Sequence, residues 1–335
     1  MKLKNKNSGG KCMVKITYVE SERFTKKGKL KKSYETYLNR ISDINEIIAE
    51  YLYLGYMITL RQLYYQLVTK NIIPNEPREY SALSRLLKKG RMEGDVDWAA
   101  IEDRLRVPKL PYSYLSVANA IRDTAECYRI DRQIGQSTYI EVWVEKDAIS
   151  GILYEITRDY HIRLMVNRGY SSCTAMEAAA RRFKEHIETG KNCVILYLGD
   201  HDPSGEDMVR DIRERLIEFG VTDGVEVRKI GLTWEQIQEY QPPENKLKKK
   251  GKKKDADSDV DAVDGEFRDP RGLTYFEKYG DRSWEVDALR PDVLDKLVRG
   301  EIESLIDMSM FEFMKRSEAQ ERAQLFELAE TAKMV

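Results

Sequence analysis

Three carboxylates open the question of what this chain does. Glu145 closes the run Tyr139-Ile-Glu-Val-Trp-Val-Glu, and Asp200 and Asp202 close Val194-Ile-Leu-Tyr-Leu-Gly-Asp-His-Asp. Carboxylate oxygens are hard donors, and three at one edge make an anionic site suited to Mg²⁺, with Mn²⁺ as a substitute. Weaker signals surround them. Lys146 suits a phosphate contact or a salt bridge equally well. Glu206 and Asp207 read as first-turn residues favoured by a helix dipole, and Asp287 as a strand end or a supporting acid. His201, between the two aspartates, should point to the opposite side. Carboxylates at strand ends are common, so on residue types alone a structural or solvated role weighs as much as a metal site.

The elements that must position these acids are legible from periodicity. Both runs are β-branched and aromatic, as in buried parallel strands. Ligands of open parallel sheets bind beyond the carboxyl ends of the strands. After Glu145, Ile149, Ile152, Leu153 and Ile156 have helical spacing. A strand over 162–166, a helix over 174–188, a strand over 193–199 and a strand over 225–230 continue the alternation. The Asp-His-Asp-Pro-Ser-Gly turn opens a further helix, with Ser204 as N-cap and Gly205 allowing the tight turn. This is an α/β pattern with right-handed crossovers. Trp284 to Leu289 reads as one more strand, followed by helices over 291–305 and 308–332.

The N-terminal part is helical. A helix over 41–53 ends at Gly55. A second, over 59–70, begins with Thr59 and Gln62 in a capping-box pattern. Its stripe of Leu60, Leu63, Tyr64 and Val68 leaves Arg61 and Tyr65 on a neighbouring face. The third helix, over 78–90, carries Leu83, Leu86 and Leu87 inward and Arg85, Lys88, Lys89 and Arg91 outward. Three short helices with a basic third fit a helix-turn-helix or winged-helix module, those four residues meeting DNA. An ordinary surface helix carries the same pattern.

The 335 residues allow two domains, and the net charge of −1 does not itself announce nucleic-acid binding. Its distribution says more: the first thirty-two residues are strongly basic, and the acid lies mostly in the C-terminal half. Such an arm suits phosphate contact or simple solvation. Residues 245–265 are a lysine block followed by an aspartate-rich one, read as a mobile insertion. Four scattered cysteines without a CxxC pair argue against a zinc site or disulfide scaffold. Without an apolar run of roughly 18 residues or a signal sequence, a soluble, cytoplasmic protein is expected, nucleoid-associated if its source is prokaryotic or viral, with no membrane partner.

Glu145 with Asp200-x-Asp202-x-x-Gly205 resembles the Toprim metal motif of topoisomerases, primases and related nucleases. Arg61-Gln-Leu-Tyr-Tyr65 resembles the Arg-x-x-Tyr-Tyr motif in the winged-helix (CAP-like) domain of the topoisomerase VI A subunit and its meiotic double-strand-break relatives. Trp284 to Leu289 is similar to the late acidic strand of that family's Toprim domain. The likeness spans about residues 40–300, in the family's order.

The resemblance implies an N-terminal winged-helix (CAP-like) domain followed by a Toprim parallel-sheet domain with C-terminal helices. The expected boundaries are a basic arm over 1–38, the tyrosine domain over 39–108 and a connector over 109–138. The Toprim domain then covers 139–300 and a C-terminal helix 301–335. It further implies Tyr65 as nucleophile, Arg61 near the scissile phosphate, and Glu145, Asp200 and Asp202 holding Mg²⁺. The substrate would be double-stranded DNA, cut by tyrosine transesterification to a 5′-phosphotyrosyl link. A homodimer is implied, one protomer's tyrosine meeting the other's Toprim site. The sequence holds no Walker-type loop, so strand passage would need a separate ATPase B-type subunit. The short length and the lysine/aspartate insertion depart from the family pattern and point to a short stand-alone member. Two other readings stay open: a hydrolytic Toprim nuclease, and a DNA-binding scaffold inactive without a partner.

Overall fold

The computed structural model describes residues 31–102, 111, 113–167, 169, 171–247 and 269–333. Most of the expected basic arm and of the lysine/aspartate insertion therefore lies outside the described residues. The chain divides into two units, one comprising the described residues up to Leu67 with Glu76–Glu102, the other Val68–Asn75 with the described residues after 102.

In the first unit, α1 spans Lys32–Tyr53, nine residues earlier than its expected start. Tyr34 and Tyr37, masked in the sequence by their lysine-rich surroundings, extend the buried stripe of Ile41, Ile44, Ile48 and Tyr51 at helical spacing. Helix α2 covers Leu60–Thr69. Its capping box forms: the Thr59 amide donates to Gln62 Oε1 at 2.9 Å, and the Gln62 amide to Thr59 Oγ1 at 3.3 Å. Helix α3, Pro77–Glu93, has proline at its first position and runs past Gly90 to a left-handed Gly94. Gly90 is not a terminator. A Cβ there would come within 2.9 Å of both Ile41 Cδ1 and Val96 Cγ2, so this glycine lets α3 lie close against α1.

The second unit is built on four parallel strands: β1 Thr138–Val144, β2 Arg163–Val166, β3 Asn192–Leu198 and β4 Val225–Gly231. Their order is β2-β1-β3-β4, with Tyr139 opposite Cys193 and Val144 opposite Leu198. The connections are helical: α4 Val117–Cys127 precedes β1, α5 Ser150–Tyr160 joins β1 to β2, α6 Cys173–Glu188 joins β2 to β3, and α7 Pro203–Glu218 joins β3 to β4. The chain steps outward from β1 to β2 and then back across to β3. Right-handed crossovers in opposite directions put α5 and α6 on opposite faces. Accordingly Tyr139, Trp143, Ile195 and Tyr197 pack with Phe183 of α6 and Ile212 and Leu216 of α7. The alternation expected from the sequence is thus a four-stranded parallel sheet in a mixed α/β structure.

One buried charge fastens α6 to the sheet. Glu141 on β1 is fully buried and accepts hydrogen bonds from Tyr139 Oη (2.7 Å), Trp143 Nε1 (2.9 Å) and the Arg182 guanidinium (2.8 and 3.0 Å). Each carboxylate lone pair has a donor, which is what burying an ion requires.

The remaining elements are α8 Trp234–Tyr240, β5 Glu244–Lys246, α9 Gly272–Tyr279, β6 Arg282–Trp284, α10 Pro291–Leu305 and α11 Met308–Thr331. The strand expected over 284–289 is a correction. It ends at Trp284, pairs antiparallel with β5 outside the main sheet, and gives way to a 3₁₀ turn over Val286–Ala288. The turn's 3₁₀ geometry takes Val286 to Ala288 out of any strand register. The C-terminal α11 packs along α4. Its buried Glu318 accepts from Arg132 (2.9 Å), Arg322 (2.6 Å) and the Ile130 amide (3.2 Å). Among the described residues, no helix is long and apolar enough to cross a membrane.

Candidate active site

Strand order creates the site. Because β1 and β3 are neighbours, the residues just beyond their carboxyl ends meet at the point where the chain reverses its direction across the sheet. Glu145 continues the pairing, its amide donating to Leu198 O at 2.9 Å. Its Oε2 accepts from the Asp200 amide at 3.2 Å and from Tyr197 Oη at 3.4 Å. Asp200 is 6% exposed. One of its oxygens accepts from the Val286 amide at 3.0 Å, and the other lies 2.7 Å from Lys146 Nζ. The same ammonium is 2.6 Å from Glu285 and 3.6 Å from the buried Asp287.

Burial pushes the Asp200 carboxyl upward. Lys146 opposes that shift, and the charges of Glu145 and Asp287 add to it. Burial, followed by Glu145 and Asp200, likewise raises the Tyr197 hydroxyl far above its ordinary range.

Asp202 also caps a helix. Its backbone is extended (φ −145°, ψ 174°), and its Oδ1 accepts from the Gly205 amide and Ser204 Oγ, both at 2.7 Å. Asp202, not Ser204, is therefore the N-cap of α7. Gly205 serves a close approach: a Cβ there would sit 2.1 Å from the Asp200 carbonyl oxygen.

His201 turns away from both aspartates, as its place between them suggested. It exchanges backbone hydrogen bonds with Trp284 (2.9 and 3.0 Å), and its Nδ1 is 2.7 Å from Tyr275 Oη. Trp234, Tyr279 and Trp284 surround the ring, and burial lowers its pKa against the pull of Glu206. Glu206 lies 2.5 Å from Lys229, and Asp207 pairs with Arg210 and Arg271, which hold it below the usual carboxylate range.

Among the described residues, no three His, Cys, Asp or Glu side chains are gathered as a metal-ligand set. The donor chemistry nevertheless fits a hard divalent cation: Glu145 and Asp200 share one edge, and Asp287 and Glu285 add carboxylate oxygens around the Lys146 ammonium. Glu145, Asp200 and Asp202 are the residues that would hold it, Asp202 while its Oδ1 caps α7.

Compared with protein-family models, curated proteins and solved structures, the chain gives no match. The site is therefore read from its own residues.

The first unit holds the other residues singled out from sequence. Arg61 Nη2 is 3.5 Å from Tyr65 Oη, and its guanidinium carbon is 5.6 Å from the Tyr65 ring centre. Tyr65 is 5% exposed, and Gln62 through Leu67 are all buried. The expected stripe of α2 is thereby corrected: Tyr65, read as lying on a face beside it, is enclosed together with Leu63 and Tyr64, and so are Gln62 and Gln66. Tyr64 is a core residue as expected, its hydroxyl donating to Glu76 O at 3.2 Å and its ring edge-on to Tyr80. On α3, Arg85, Lys88 and Lys89 are exposed. Arg91 is not outward; it donates to the carbonyls of Trp98 (3.1 Å) and Ile101 (2.9 Å) and closes the following loop. The sequence reading missed Glu285, whose signal was its place two residues before Asp287, and Glu141, which an apolar strand concealed.

Proposed function

We propose that this chain is a Mg²⁺-dependent, DNA-cleaving tyrosine transesterase of the topoisomerase VI A type, with a winged-helix (CAP-like) tyrosine domain and a Toprim domain. The observation that carries the reading is the meeting of Glu145 and Asp200 beyond the carboxyl ends of adjacent central strands, with Lys146 and Asp287 beside them. In this reading Tyr65 Oη attacks the scissile phosphorus. The new O–P bond replaces the bond to the 3′ oxygen, the phenol loses its proton, and the departing 3′ oxygen gains one. The 5′ end stays on Tyr65, so the bond energy is kept for religation. Arg61, 3.5 Å from the Tyr65 hydroxyl, is placed to stabilise the negative charge that develops on the phenol oxygen as its proton leaves. A bound Mg²⁺ would supply positive charge against the phosphoryl oxygens. Arg85, Lys88 and Lys89 offer exposed cations for backbone phosphates. The acting form is a homodimer on double-stranded DNA, with a separate ATPase subunit for any strand passage.

The burial of Tyr65 favours a second reading, a hydrolytic nuclease in which water attacks and Tyr65 only packs. One experiment separates the two. Protein, Mg²⁺ or Mn²⁺ and end-labelled duplex DNA are quenched with denaturant, for the wild type, Tyr65→Phe and Glu145→Ala. Protein attached to 5′ ends in the wild type alone supports the transesterase. Free 5′-phosphate ends that survive Tyr65→Phe support the nuclease. Binding without cutting, with or without metal, leaves a scaffold or an enzyme that cuts only with its partner subunit.

A further inference from the structure

At the opposite, amino-terminal edge of the sheet lies a cavity of about 440 Å³. Arg129, Arg163, Lys191, His161, His186 and Asp131 line it. The seven residues of β1 separate it from the acidic edge by about 20 Å at roughly 3.3 Å per residue, so it is not part of that site. Two of the chain's three histidines are here. Among the described residues, no carboxylate lies within ion-pairing distance of Arg163 or Lys191. Lys191 donates to Gln133 O at 3.1 Å. Arg129 is 3.8 Å from Glu318, which Arg132 and Arg322 already hold more closely. The Asp131 carboxylate accepts from the Gln133 amide at 2.9 Å. Three guanidinium and ammonium groups thus face one carboxylate in a concave space, which concentrates positive potential.

The two imidazoles report that potential. Burial, then Lys191 and Arg163, lower His186, while Glu185 and Glu141 oppose the shift. Burial, then Arg132 and more weakly Arg129, lower His161, against Glu318 and Asp131. His186 is also stacked on Tyr139, with ring centres 3.7 Å apart.

We propose that this cavity binds a phosphate dianion, free or as the phosphate of a small monoester, between Arg163, Lys191 and Arg129 with His186 and His161 at its wall. The excess of two fixed positive charges matches a dianion. The guanidinium fork suits phosphate geometry, and the volume lies within the range of small-ligand pockets. An extended polynucleotide would instead need an open basic track.

The test is NMR of the full chain labelled with ¹³C at histidine, titrated with inorganic phosphate at ionic strength held constant with NaCl. The His161 and His186 signals are expected to move with saturation and to titrate at higher pH with phosphate bound, while His201 stays still. Arg163→Ala and Lys191→Ala, tested singly, should each weaken binding about tenfold, as for one charge-assisted hydrogen bond. AMP in place of phosphate identifies the source: tighter binding assigns a monoester, and equal binding assigns free phosphate. Shifts no larger than with NaCl alone, shifts undiminished in both variants, or shifts seen only with duplex DNA would overturn the proposal. The wild-type titration decides by itself should either variant fail to fold.

Discussion

Lys146 Nζ lies 2.7 Å from the Asp200 carboxylate, and both are largely enclosed, at 19% and 8% side-chain exposure. The same ammonium serves Glu285 and Asp287. Removing one partner of a buried pair leaves the other charge uncompensated. Lys146→Met is therefore expected to cost about 3–5 kcal/mol in urea unfolding. Added MgCl₂ should restore part of that loss. Asp200→Asn in the same background should abolish the Mg²⁺ effect; an unchanged response would remove Asp200 from the cation site.

Asp202 and Gly205 separate a capping role from a metal role. Asp202→Asn keeps an oxygen for the Gly205 amide and should leave thermal stability nearly unchanged, whereas Asp202→Ala should lose about 1 kcal/mol. If Asp202 also serves metal, Asp202→Asn loses metal-dependent cleavage while remaining folded.

Gly205→Ala places a methyl where the Asp200 carbonyl stands. Backbone must move, at a cost near or above the upper end of the ~1–3 kcal/mol typical of overpacking. The displaced group is the peptide of Asp200, so Mg²⁺-dependent stabilisation should weaken together with the melting temperature.

Glu318 ties α11 to the segment before β1. Burial alone would raise its pKa, but the Arg132 hydrogen bond and charge, the Ile130 amide and Arg322 bring it below the ordinary value of 4.5. A carboxylate lowered in the folded state contributes stability above its unfolded pKa and loses it as pH falls through the folded value. The wild type should therefore lose stability below about pH 4.5 more steeply than Glu318→Gln, which is weaker at pH 7 but flatter in acid. Parallel pH profiles of the two in urea melts would refute this.

Arg182 completes the donor shell of fully buried Glu141. Arg182→Met leaves that carboxylate with only Tyr139 and Trp143, at an expected cost of about 3–5 kcal/mol in chemical denaturation. A change under 1 kcal/mol would mean that the carboxylate takes up a proton instead.

The sequence by itself determined the alternation of helix and strand from Thr138 to Gly231 and the acids at the carboxyl ends of β1 and β3, because apolar periodicity is a local property. It also determined the Thr59–Gln62 capping box and the turning of His201 away from the two aspartates, each set within a few residues. Only the tertiary structure decided the strand order that makes Glu145 and Asp200 neighbours, the gathering of Asp200, Glu285 and Asp287 around Lys146, and the departure of β6 from the parallel sheet. It alone turned Arg91 to its loop and Tyr65 into the interior. The reason is physical. Where a polar side chain points depends on which donors, charges and apolar surfaces distant parts of the chain bring to it, and helical or strand spacing carries no record of those.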